Sequence, residues 1–194
     1  WRYDEQGAII QKTEETSLQD ARRGNIGFYL DDKIRISNSV TLNAGARFDA
    51  IRSSNKNVLG HRISRIDEFF SLYLGSTWQV TKNLSIITNI GRSFRFPTIS
   101  ELFYTGLTGR GTVFGNPDLT PETSLNVDFG FRYLKDRFFA SFYIFTNSIN
   151  DMIQKFAGTA QEEFFYRNLI RGNIKGIEGE FYVTLTDKLE FFMN

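Results

Sequence analysis

Two arginines and a glutamate near the middle of the chain have side chains suited to binding an anion. Arg92 and Arg95 are followed by Glu101 in a segment rich in aromatic residues. Guanidinium groups form paired hydrogen bonds with carboxylate or phosphate oxygens, and these are strongest where water is partly excluded. The three residues are therefore candidates for holding a ligand. The alternative, which the sequence favours, is that they pair with one another or with neighbouring strands.

A second group of candidate binding residues lies in the polar segment that follows, at Tyr104, Arg110 and Phe114. Binding residues concentrate on loops that a rigid scaffold positions. The alternative is ordinary packing within the loop. His61 is the only histidine, and it is more simply explained as a solvated loop residue than as a ligand to a metal carried by a substrate.

Catalytic chemistry has little support in the composition. The chain has no cysteine and a single histidine, whereas Ser-His-Asp sites and most transition-metal sites need imidazole. Lys and Arg number 23 against 22 Asp and Glu, so net charge gives no reason to expect nucleic acid as a partner. We predict a protein that is not an enzyme and needs no metal or cofactor.

Long stretches of alternating polarity must position these residues. In residues 40–50 the apolar Val40, Leu42, Ala44, Ala46, Phe48 and Ala50 alternate with polar residues or glycine. Residues 26–36, 70–80, 124–133 and 177–185 repeat the pattern, and 84–96 and 138–149 are strand-rich but less regular. The runs reach about 11 to 14 residues, whereas soluble strands average about 5 to 6 and a tilted membrane strand needs about 9 to 11. No apolar run approaches the roughly 18 residues of a membrane helix.

Short and long connections alternate between these stretches. Polar turns are predicted at 37–39, 81–83, 135–137 and 186–188, and longer connections at 53–63, 97–121 and 157–163. Outer-membrane barrels have this asymmetry, with short periplasmic turns and longer external loops. The sequence therefore predicts an all-β fold, an antiparallel up-and-down transmembrane β-barrel segment of about eight long strands.

Ordered motifs in the second half of the chain resemble a known family. The segment 91–104, GRSFRFPTISELFY, precedes GNPDLTPETS at 115–124, and Tyr166-Arg167-Asn168 and Gly176-Ile177-Glu178-Gly179 follow. This order is similar to the C-terminal half of a TonB-dependent outer-membrane receptor, and 25–32 is similar to one of its upstream strands. The residues that carry the resemblance are Pro97, Glu101, Leu102, Gly115, Asn116, Pro117, Leu119, Pro121, Glu122, Ser124, Asn168, Gly176 and Glu178.

The resemblance implies a 22-stranded barrel with a plug domain inside. Residues 1–194 would then be a partial barrel domain, cut from a longer protein and lacking the plug. It also implies the outer membrane of a Gram-negative bacterium, contact with its lipid, and uptake of a scarce large nutrient, most often an iron-siderophore complex. A TonB-type protein would supply energy through the plug, and Arg92, Arg95 and Glu101 could contact the plug instead of the ligand.

Two other classes of protein remain as alternatives. A soluble β-sandwich, serving as a binding or adhesin domain, would pack the apolar residues of 125–131 against those of 40–48 across two sheets. An outer-membrane lipase or protease would need His61 in a catalytic site. Burial of Leu42, Phe129 and Phe181 inside a compact globule would contradict the barrel.

Overall fold

The computed structural model describes residues 2–3, 6, 9–11, 17–56, 59–159 and 162–194. These residues form twelve strands and one helix. The elements are β1 (Arg2–Tyr3), β2 (Ile9–Gln11), β3 (Gln19–Arg35), β4 (Val40–Lys56), β5 (Arg62–Gln79), β6 (Leu84–Arg95), α1 (Ile99–Phe103), β7 (Thr105–Thr108), β8 (Gly111–Phe114), β9 (Glu122–Lys135), β10 (Phe138–Ala157), β11 (Glu163–Thr186) and β12 (Leu189–Met193). The one helix in these ranges is not long and apolar enough to cross a membrane.

One large sheet contains all the longer strands. Its long strands have the order β3-β4-β5-β6-β9-β10-β11 with every neighbouring pair antiparallel, and β12 pairs with the end of β11. The short β8 pairs in parallel with β11, and β7 pairs with β8. Strands that follow one another in the chain are therefore neighbours in the sheet, apart from the insertion of α1, β7 and β8. This confirms the predicted up-and-down architecture with about eight strands. The described sheet is open, which is the form expected of part of a barrel.

Strands are longer than the alternating pattern predicted. β4 ends at Lys56 and β5 begins at Arg62, so the connection predicted over 53–63 is shorter by several residues at its start. The four polar turns lie where they were predicted, and all three longer connections lie at the opposite edge of the sheet. Following the asymmetry of outer-membrane barrels, we call the edge with the tight turns periplasmic and the opposite edge external.

The two faces of the sheet differ in polarity, as the alternation requires. Phe28, Phe48 and Phe70 are register partners across three strands, and each remains exposed. We call their side the outer face. The inner face carries Asp49 and its register partner Gly27, and it is polar along most of its length.

The three residues whose burial would contradict the barrel are not buried. Phe129 is 46% exposed, and Leu42 and Phe181 are partly exposed on the outer face of the same sheet. The apolar residues of 125–131 and 40–48 lie on the same face of one sheet, with β5 and β6 between their strands, instead of packing across two sheets. The β-sandwich alternative is therefore not favoured.

Burial is concentrated in one place, the long connection 96–121. Within the described ranges, six aliphatic or aromatic residues other than proline are buried, and five of them belong to this connection. They are Phe96, Leu102, Phe103, Val113 and Leu119, and the sixth is Ile153 of β10. The connection, not the sheet, supplies the core of the described structure.

Candidate functional site

Arg95 is the centre of an ion-pair network at the external end of the inner face. Its Nε and Nη2 donate to the two carboxylate oxygens of Glu122 at 2.7 and 2.8 Å. Its Nη1 lies 3.0 Å from Oε2 of Glu101. Glu122 also accepts a 2.7 Å hydrogen bond from the backbone N–H of Ile153. One guanidinium thus links the end of β6, helix α1 and the start of β9, and Glu122 extends the link to β10.

Helix α1 begins with a capping box. The hydroxyl of Thr98 accepts from the backbone N–H of Glu101 at 3.2 Å, and the Glu101 carboxylate accepts from the N–H of Thr98 at 2.7 Å. This reciprocal pair satisfies two of the free N–H groups at a helix start. Pro97 is fully buried just before it. Glu101 therefore has two structural roles, as cap and as partner of Arg95.

The segment 115–118 turns tightly against the helix. The N–H of Gly115 donates to the carbonyl of Tyr104 at 2.5 Å, and that of Asn116 donates to the carbonyl of Glu101 at 2.8 Å. A Cβ on Gly115 would lie 2.8 Å from the backbone nitrogen of Phe103. Only glycine allows this approach. Asn116 then accepts from the N–H of Asp118 at 2.9 Å, which is an Asx turn.

Strand β11 holds the other side of this segment. The Asn168 amide accepts from the Thr120 N–H and donates to the Thr120 carbonyl, both at 3.0 Å, and it also donates to the carbonyl of Asp151. Asn116 donates to the carbonyl of Tyr166 at 3.1 Å. These side-chain amides replace the backbone pairing that an irregular loop lacks.

Two inner-face arginines hold the connection from the opposite side. Arg65 of β5 donates through Nη1 to the carbonyls of Pro117 and Leu119, both at 2.7 Å. Arg23 of β3 donates to the carbonyl of Pro97 and, at 3.1 Å, to the hydroxyl of Ser53. Hydrogen bonds therefore attach the connection to β3, β5 and β11. We call the segment 96–121 the anchored loop.

Apolar packing completes the attachment. Leu102 and Leu119 are fully buried, and they form one cluster with Phe103 and Ile153. Leu18, Ile99 and Tyr166 pack around it. Burying a leucine side chain stabilises a fold by about 1.5–3 kcal/mol, so this cluster and the polar contacts together make the loop a fixed part of the inner face.

The hairpin β7–β8 lies at the outer end of the anchored loop and carries several exposed side chains. β8 pairs in parallel with residues 163–165 of β11, and Phe114 stacks on Phe165 with ring centroids 4.9 Å apart. Tyr104 donates from its hydroxyl to the carbonyl of Leu107 at 3.2 Å. Leu107 and Arg110 are exposed at the tip.

The predicted binding residues do not form one site. Arg95 and Glu101 form an ion pair with each other, which was the alternative to ligand binding. Tyr104, Arg110 and Phe114 lie in or next to the hairpin. Arg92 lies elsewhere: its register partners are Leu72 and Leu125, which are exposed on the outer face. Its guanidinium lies over the ring of Phe69, 4.9 Å from the centroid, where β6 leaves β5.

The remaining motif residues lie along the inner face below the anchored loop. Ser124 shares a 2.6 Å hydroxyl hydrogen bond with Ser93. Gly176 leaves room for the ring of Phe145, whose Cζ would be 2.5 Å from an added Cβ. Glu178 is exposed beside a cavity of about 670 Å³ that Asp128 and Arg132 also line. Pro121 connects the anchored loop to β9.

Sequence reasoning missed several anchoring residues. Arg23 and Arg65 were assigned no role, since nothing local shows that their partners are carbonyls 74 and 52 residues away. Helix α1 was also missed, although Thr98 and Glu101 have the spacing of a capping box. That motif was the available signal.

The arrangement suits a fixed cover better than a reaction centre. The carboxylates of Glu101 and Glu122 are already occupied by Arg95 and by backbone N–H groups. In the described ranges no group of three or more His, Asp or Glu side chains could hold a metal ion.

Comparison with known proteins identifies the family of this fold. The model of the family "TonB dependent receptor-like, beta-barrel" matches residues 2–194. The iron-regulated outer membrane virulence protein of Vibrio cholerae is 26% identical over 132 residues, which cover 66% of this chain and 18% of that protein. The TonB-dependent heme receptor A of Haemophilus ducreyi is 34% identical over 88 residues, 40% of this chain and 12% of that protein. The chain thus spans less than a fifth of the length of these relatives.

Solved structures share the fold. The copper transporter OprC superposes with a TM-score of 0.73 at 21% identity, over 88% of this chain and 28% of that one. The hemophore receptor HasR of Serratia marcescens, solved with its hemophore and heme, gives 0.72 at 17% identity, over 84% of this chain and 32% of that one. From the family match and these shared folds, the chain belongs to the TonB-dependent receptors of the Gram-negative outer membrane and forms part of their β-barrel.

Proposed function

We propose that this chain is part of an outer-membrane receptor that binds a scarce large nutrient and imports it with energy from a TonB-type protein. We further propose an iron-siderophore complex as the nutrient, and a plug domain, outside residues 1–194, as the link to the energy source. The observation that carries the proposal is the anchored loop. It covers the external end of the inner face, where an entering ligand would first meet the barrel.

The hairpin β7–β8 is the part of the anchored loop suited to meet a ligand. Arg110 and Leu107 are exposed at its tip, and Tyr104 lies at its base. A cation beside apolar and aromatic side chains suits a large ligand with anionic oxygen atoms. Arg95 and Glu101 support this surface through their ion pair, and Arg92 on the outer face has no part in the proposal.

A growth experiment tests the transport role. The gene of the intact receptor is deleted, and the strain is grown under iron limitation on single iron sources, such as ferric siderophores of different chemistry or heme. We expect growth to fail on one source and to return with the cloned gene. Normal growth on every siderophore, with loss on heme alone, would contradict the iron-siderophore assignment. Normal growth on every source would contradict iron uptake.

A matched pair of variants tests the hairpin. Arg110→Ala removes a cation at the external edge, and Lys82→Ala removes an exposed cation from a periplasmic turn. Losing one charge-assisted hydrogen bond costs about 1.5–3 kcal/mol, so we expect roughly tenfold weaker binding of the imported complex for Arg110→Ala alone. Equal affinities of the two variants and the wild type would remove Arg110 from the site.

A further inference from the structure

A groove crosses the outer face between β3 and β9. Its volume is about 560 Å³, within the range of roughly 300–1,000 Å³ found for ligand pockets. Ala44 and Ala46 of β4 form the floor, while Leu30, Leu72 and Ile90 are among the larger side chains around it. All five lie on the outer face, because they are register partners of one another or of other apolar or exposed residues on that face.

The groove follows from the register of the sheet. Leu30 on β3 is opposite Ala46, which is opposite Leu72 on β5. A small side chain between two large ones leaves a depression, and Ala44, the next outward residue on β4, extends it. The depression crosses the strands instead of following one of them.

A cation lies at one end of the groove. Arg92, which lines it, is the ninth residue of the twelve in β6 counted from the periplasmic turn, and it is exposed. Within the described ranges no carboxylate lies at ion-pair distance from Arg92, although Arg47, Arg65 and Arg95 all have such partners. An arginine on the lipid side is tolerated near the membrane interface and is costly at the midplane.

The opposite end of the groove carries the opposite charge. Asp32 lines it on β3, three residues before that strand ends at the periplasmic edge. An anionic headgroup would be repelled by Asp32 and attracted by Arg92. The charges therefore select one orientation for a bound amphiphile, with its anion at the external end.

We propose that the groove binds an acyl chain of an outer-leaflet lipid whose phosphate headgroup pairs with Arg92. The planar guanidinium fork matches phosphate oxygens. It lies at the gap where β6 separates from β5, and there it also contacts the ring of Phe69, which alternation assigns to the inner face. The proposal rests on the outer-membrane location of the barrel and is independent of what the receptor imports.

Lipid retention by the intact receptor tests the proposal. The receptor and its variants are purified in mild detergent, and bound lipid is measured by native mass spectrometry, with added phosphatidylglycerol, phosphatidylethanolamine or lipid A in separate arms. Arg92→Gln removes the cation, and Ala46→Leu fills the floor. Ala50→Leu is the matched control, because Ala50 lies on the same strand and face but does not line the groove.

We expect the wild type and Ala50→Leu to retain phosphatidylglycerol or lipid A over phosphatidylethanolamine. Arg92→Gln should lose about tenfold in retention, because one charged contact with the lipid is removed. Ala46→Leu should lose a similar factor, because the larger side chain occupies the floor of the groove. Retention that is equal in all four proteins, or loss in Arg92→Gln without loss in Ala46→Leu, would overturn the proposal. Uptake is measured in parallel, so that a receptor without transport activity but with normal lipid retention counts against the proposed function alone.

Discussion

At the scale of single residues, Arg95 links the anchored loop to the sheet through its ion pairs. It makes a two-point contact with Glu122 and also reaches Glu101, and the side chains of both glutamates are largely shielded from water. Such geometry distinguishes this pair from ordinary surface ion pairs, which contribute about 0–1 kcal/mol. A lysine keeps the charge but lacks the planar fork.

Arg95→Lys should therefore loosen the anchored loop without changing the charge. We expect a local loss of about 1.5–3 kcal/mol, seen as faster hydrogen exchange over 96–103 in the intact receptor. Arg132→Lys is the control, because within the described part of the chain the Arg132 side chain makes a single 3.4 Å hydrogen bond, to Tyr143 on the same face. Additive effects of Arg95→Lys and Glu122→Gln would show that the two residues are not coupled.

A second prediction of local destabilisation concerns Asn168 of β11. Its amide forms both hydrogen bonds that hold Thr120. Asn168→Ala should cost about 1–2 kcal/mol locally, with roughly tenfold faster exchange of the Thr120 amide. Asn173→Ala is the control, since Asn173 lies on the same strand and, among the described residues, its side chain accepts a single hydrogen bond, from the hydroxyl of Ser148. Similar exchange rates in both variants would contradict this role for Asn168.

The sequence could locate these residues but could not assign their roles. The motif at 115–124 and Asn168 were recognised through a family resemblance, and the structure explains each through a contact with a distant segment. Arg23 and Arg65 gave no signal, because their carbonyl partners are far away in the chain. The register of β6 puts Arg95 on the inner face and Arg92 on the outer one. The sequence analysis had grouped the two for their guanidinium chemistry, because residues 84–96 alternate too irregularly to separate the faces.

At the scale of elements, the anchored loop is a folded unit attached to the inner face. Helix α1, the hairpin β7–β8 and the turn at 115–118 pack together through Leu102, Phe103 and Leu119. Gly115 fixes how closely the turn approaches the helix, since an added Cβ would lie 2.8 Å from the nitrogens of Phe103 and Tyr104. Backbone atoms at that distance cannot yield without moving the helix.

Gly115→Ala should thus displace α1 and leave the barrel strands intact. We expect a loss of about 1–3 kcal/mol from overpacking, detected as faster limited proteolysis within 96–121 of the intact receptor. Gly109→Ala is the matched control, because a Cβ there would meet no atom within 4 Å. Equal cleavage rates for both variants would show that the close approach is not needed.

Strand positions were predictable and strand lengths were not. Alternation identified β4 over 40–50, but the strand continues to Lys56 through Ser53, Ser54 and Asn55. Alternating polarity reports where one face meets lipid. The hydrogen bonds of the ladder continue beyond the apolar band, where Ser53, Ser54 and Asn55 are buried polar residues and no alternation against lipid is required. This explains why the connection predicted at 53–63 was too long.

At the scale of the whole molecule, the sheet separates two environments. Its outer face displays large apolar side chains in rows, such as Phe28, Phe48 and Phe70, and its inner face carries paired charges and the anchored loop. An isolated globular domain would not leave such a surface uncovered. The assignment of the outer face to lipid underlies both the transport proposal and the lipid groove.

A spin-label accessibility scan of β9 in the intact receptor tests this assignment most directly. The chain has no cysteine, so single cysteines at positions 125 to 131 can each carry a label in lipid bilayers, once any cysteine elsewhere in the receptor is replaced. We predict that accessibility to oxygen, which concentrates in hydrocarbon, peaks at Leu125, Val127, Phe129 and Phe131 and falls at each residue between them. Peaks at Asn126, Asp128 and Gly130, or no period of two residues, would contradict the account.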